Sequence, residues 1–75
     1  MKKNWEKLSK DQQNKIIKWD NEFNEKYPGS KVSGVKSLLT SSDSVEDISI
    51  YTWLIIRNIL GFKTVDETFY KTFSN

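Results

Sequence analysis

The sequence predicts an all-α fold: a small single domain, residues 1–75, in which three to four short helices form a bundle. Three observations carry that expectation. Apolar residues recur at steps of three and four rather than two, which is the helical and not the strand period. Capping residues precede the periodic segments and glycine follows them. At 75 residues without a cysteine, the chain is near the lower size limit for a core that folds without covalent staples. Three breaks, "YPGS" (27–30), "TSSDS" (40–44) and "GFKT" (61–64), cut the chain into four pieces.

The first helix is expected over about 10–26. Ser9 is a natural N-cap, and Gln12 completes a capping box. Ile16, Trp19, Phe23 and Tyr27 then draw one apolar stripe. Asp11–Lys15, Lys18–Glu22 and Glu22–Lys26 are opposite charges four residues apart on the solvated side. Pro28 and Gly29 end the helix.

A second, softer helix is expected over about 31–40, where Val32, Val35, Leu38 and Leu39 share helical spacing. Gly34 would sit inside it, at roughly 1 kcal/mol relative to alanine.

The third segment, about 44–60, is the most apolar: eight of the eleven residues from Ile50 to Leu60 are hydrophobic. Its Ile, Tyr, Thr and Trp residues are good strand formers. Two features favour a helix instead. Asp43 or Ser44 can cap it, with Glu46 and Asp47 suiting the positive helix end. At the other end, "RNILGF" places Gly61 as a left-handed C′ residue and Phe62 to close a Schellman motif. A fourth helix, about 65–73, follows "TVDE", a capping box from Thr64 to Glu67, with Val65, Phe69 and Phe73 at steps of four.

Composition narrows the function more by exclusion than by motif. Without cysteine there is no disulfide, thiolate metal site or thiol redox chemistry; without histidine, the commonest acid/base group and imidazole ligand are missing. Ser/Lys or Thr/Lys pairs would need a buried lysine, and every lysine here has polar neighbours in sequence. No catalytic, cofactor-binding or metal-binding residues are therefore expected. The acidic clusters Asp43/Glu46/Asp47 and Asp66/Glu67 stand where helix starts favour negative charge, and they lack the ligand pattern of a calcium loop.

"GSKVSGVKS" (29–37) has the glycine gap of a phosphate-binding loop. Val35 separates the second glycine from the lysine, however, and a helix precedes in place of a strand.

Twelve basic and ten acidic residues give a net charge of +2, too balanced for a dedicated nucleic-acid binder. The sign is uneven: nine lysines against five acids up to Lys36, then three basic against five acidic residues. Lys26, Lys31 and Lys36 are candidate phosphate contacts, with Lys2, Lys3, Lys7 and Lys10 able to extend the patch. Arg57 is the lone arginine, so base-specific readout is poorly equipped. The "LGF" turn of 60–62 mimics a helix-turn-helix, but Asp66 and Glu67 would then meet DNA phosphates.

The opening lysines have no apolar run behind them, so neither a signal peptide nor a membrane span is expected, and the cytoplasm is the simplest location. Alanine is absent while Lys, Asn, Ile and Ser abound, a bias that suits a low-GC bacterium, its phage or a mobile element.

The third helix carries the sharpest functional expectation. A helical projection puts Val45, Ile48, Ile55, Ile56 and Ile59 on a core face, and Ile50, Trp53, Leu54 and Arg57 on the opposite one. A helix apolar nearly all round is either enclosed or uses one side for a partner. Trp, Tyr and Arg beside aliphatics are common interface anchors. The sequence thus predicts a non-catalytic helical protein–protein interaction module, a regulator, inhibitor or accessory subunit, that binds another protein or itself through Ile50, Trp53, Leu54 and Arg57. The alternative is a nucleic-acid accessory protein using the lysine-rich half. No small-molecule substrate is implied.

Overall fold

The computed structural model describes residues 2–29 and 34–73. Among these, four α-helices form the bundle: α1 Lys10–Lys26, α2 Val35–Thr40, α3 Ile50–Leu60 and α4 Glu67–Lys71. Two 3-10 turns, Asn4–Lys7 and Val45–Asp47, precede α1 and α3, and no described residue is in a strand. The all-α class holds. α1 packs against both α2 and α3, and α2 also rests on the first 3-10 turn.

α1 has the expected bounds and cap. The Ser9 hydroxyl accepts from the Gln12 amide at 3.2 Å, and the Gln12 side chain accepts from the Ser9 amide at 2.9 Å. The anticipated ion pairs along α1 do not close. Among the described residues, the one pair within 4.0 Å is Lys3–Asp43, at 3.8 Å and largely exposed. Such surface pairs contribute little, so the helix does not need them.

α2 departs from its expected start at 31. Lys31, Val32 and Ser33 lie outside the described residues, and the helix begins at Val35 with Gly34 as N-cap in extended conformation. Gly34 is therefore outside the helix, and the interior-glycine penalty does not arise. Asp20 of α1 supplies the cap instead. Its two carboxylate oxygens accept from the amides of Val35 (2.9 Å) and Lys36 (3.0 Å), satisfying two orphan donors of the helix start. A Cβ on residue 34 would stand 2.9 Å from Asp20 Oδ2, so glycine is what lets the carboxylate approach.

The segment expected as one helix over 44–60 is broken. Ser44 and Asp47 cap a short 3-10 turn, Ile48 is extended, and a second cap at Ser49 starts α3 at Ile50. Asp47 accepts from the Ser44 and Asp43 amides, and these bonds hold its carboxyl below the usual range. At the break Ile48 is buried in the core.

At the far end the Schellman closure forms as expected. Gly61 has φ +84°, its amide reaches Asn58 O, and the Phe62 amide donates to Arg57 O at 3.1 Å. The Arg57 guanidinium folds over the same end, donating to the carbonyls of Phe62 (3.1 Å) and Lys63 (2.9 Å).

α4 starts two residues later than expected. Asp66, not Thr64, is its N-cap, accepting from the Phe69 amide at 3.1 Å. Thr64 donates its hydroxyl to Asp66 Oδ2 at 2.7 Å; this bond first, and the Phe69 amide second, lower the Asp66 pKa.

The core comprises Leu8, Ile16, Val35, Leu39, Ile48, Trp53, Ile56, Leu60, Phe69 and Phe73. Trp53 is its centre. Phe69 (5.7 Å), Tyr70 (6.1 Å) and Phe73 (4.6 Å) meet its ring edge-to-face, and the indole N–H donates to Val45 O at 2.8 Å. A polar clasp joins the segments beside it. Asn4, fully buried, donates to Ser42 Oγ and Ser44 O, and the Lys7 ammonium donates to Asn4 Oδ1, Asp43 O and Phe73 O. One lysine thus ties the amino-terminal turn, the 40s loop and the carboxyl-terminal segment together.

Candidate functional site

The outer face of α3 is where the fold leaves apolar side chains uncovered. Trp53, Ile56 and Leu60, at i, i+3 and i+7, point into the core. The opposite side then presents Ile50 (52 % exposed), Tyr51 (77 %), Leu54 (44 %) and Ile55 (42 %), with exposed Asn58 continuing the line. This corrects the projection read from sequence. The core direction is turned by roughly 80° from the expected one, because α4 and the Val45 turn dock on the Trp53 side. Trp53, expected at an interface, is enclosed by its own chain. Ile55, expected in the core, is at the surface.

Of the four anticipated contact residues, Ile50 and Leu54 lie on this outer face and Trp53 does not. Arg57 is half-buried, and its guanidinium is engaged with the carbonyls that follow α3. Two residues of the outer face, Tyr51 and Ile55, were missed. Nothing local in the sequence signals them, because the inward side of α3 is set by the docking of Phe69 and Phe73 on Trp53.

Beside this face runs a cleft of about 150 Å³ between α1, the start of α2 and α3, lined by Trp19, Phe23, Val35, Leu38, Thr52 and Ile55 among others. Its α1 wall is a run of rings, with Trp19 stacked on Phe23 at 5.2 Å and Phe23 tilted on Tyr27 at 5.0 Å. The α1 stripe therefore does two jobs. Ile16 is wholly buried, Trp19 and Phe23 are half-covered, and Tyr27 is exposed beyond the bundle. Ile55 joins cleft to outer face, so the apolar surface is continuous from α1 to α3.

The lysine candidates are placed less coherently. Lys36 lies over the Trp5 ring (5.3 Å), and Lys26 over the ring of Tyr27 (5.7 Å). Lys31 lies outside the described residues. Lys7 is committed to the clasp. One carboxylate of each acidic cluster, Asp47 and Asp66, accepts from amides at the start of its helical turn. No group of three or more potential metal ligands occurs among the described residues, and no described helix is long and apolar enough to cross a membrane.

No protein-family model, curated protein or solved structure matches the chain.

Proposed function

We propose that the chain is a non-catalytic helical module that works by binding another protein or a copy of itself, with the outer face of α3 as its contact surface. The observation that carries this reading is the uninterrupted apolar face Ile50, Tyr51, Leu54 and Ile55 on a chain of mean hydropathy −0.67. The adjoining cleft offers a pocket of the size of one apolar side chain.

A catalytic role has little support: the sequence has neither His nor Cys, and the carboxylates with displaced pKa values, Asp47 and Asp66, are displaced downward by cap hydrogen bonds. A regulator, inhibitor or accessory subunit is the role such a surface suits, and the composition accords with a cytoplasmic protein of a phage or mobile element in a low-GC bacterium. Phosphate-backbone binding has less to rest on, because Lys7 is occupied and Lys36 and Lys26 sit on different rings.

The test is association of the chain with and without Leu54→Glu, measured as solution mass and as capture from a low-GC bacterial lysate. The variant is expected to keep its helical circular dichroism and to lose at least about tenfold in affinity, since it puts a charge into a desolvated apolar contact. A well-folded Leu54→Glu chain that associates as the parent does would overturn the reading.

A further inference from the structure

We draw no further inference here: the strongest candidate, the apolar cleft between α1, the start of α2 and α3, belongs to the surface already described, and nothing in the structure shows what fills it.

Discussion

Trp53→Ala separates the core from the contact surface most cleanly. The indole is 1 % exposed, meets three aromatic rings, and anchors the Val45 turn through its N–H. Truncating a buried tryptophan removes its transfer free energy and leaves a cavity, about 3–5 kcal/mol together. At about 0.05–0.15 kcal/mol per residue, a chain of this length has roughly 4–11 kcal/mol of stability in all. The substitution should therefore leave the fold marginal or lost. Trp53→Phe keeps an aromatic ring but strands the Val45 carbonyl, at about 1–3 kcal/mol. Leu54→Ala removes a side chain that is already 44 % exposed, so about 1 kcal/mol or less is expected. Urea unfolding followed by ellipticity at the helix band, with Trp5 and Trp19 as fluorescent reporters, ranks the three. A midpoint for Trp53→Ala no lower than that of Leu54→Ala would refute the assignment of Trp53 to the core.

Two further perturbations probe the polar parts of the fold. Asp20→Ala removes both acceptors at the start of α2 and should cost about 0.5–2 kcal/mol, with faster hydrogen exchange at the Val35 and Lys36 amides; Asp20→Asn, which keeps one oxygen, should cost less. Asn4→Ala should cost about 2–3 kcal/mol in urea unfolding, because it leaves Ser42 and Ser44 O without its amide and Lys7 without one of three acceptors. An Asn4→Ala chain as stable as the parent would show that the clasp contributes nothing.

How much of this was legible in the sequence follows from how local each cause is. The Ser9–Gln12 box, the Gly61 closure and the stripe through Ile16 depend on residues within one or two turns, and each is found where the spacing put it. Thr64 loses the α4 start to the neighbouring Asp66, and Ser44 caps only a short 3-10 turn because Ser49 restarts the helix after an extended Ile48. The Asp20 cap joins residues fifteen apart, and the Asn4–Lys7 clasp spans up to sixty-six positions, so no local pattern announces either. Lys7 read as a candidate extension of the phosphate-contact patch for the same reason. The orientation of α3 failed on the same ground. Which side of an apolar helix is the inside was decided by where Phe69 and Phe73 dock, and a single helix's periodicity does not contain that information.

That failure also sharpens the functional question. Read from sequence, Trp53 was the strongest sign of an interface; in the fold it is the residue the core is built on. The apolar side chains on the outer face of α3 contribute less to the single chain than Trp53 does. Tyr51 and Ile50 are mostly in solvent, and at exposed helix positions Ile and Tyr are poorer helix formers than Lys or Glu. Polar residues there would favour α3 and raise solubility without opening a cavity. Packing in the single chain covers about half of Ile50 and Leu54 and little of Tyr51, whereas a surface that desolvates against another chain would favour all three as apolar. Ile55 alone has a second role, as a wall of the cleft beside Phe23 and Leu38, and is the residue whose substitution would disturb both fold and contact.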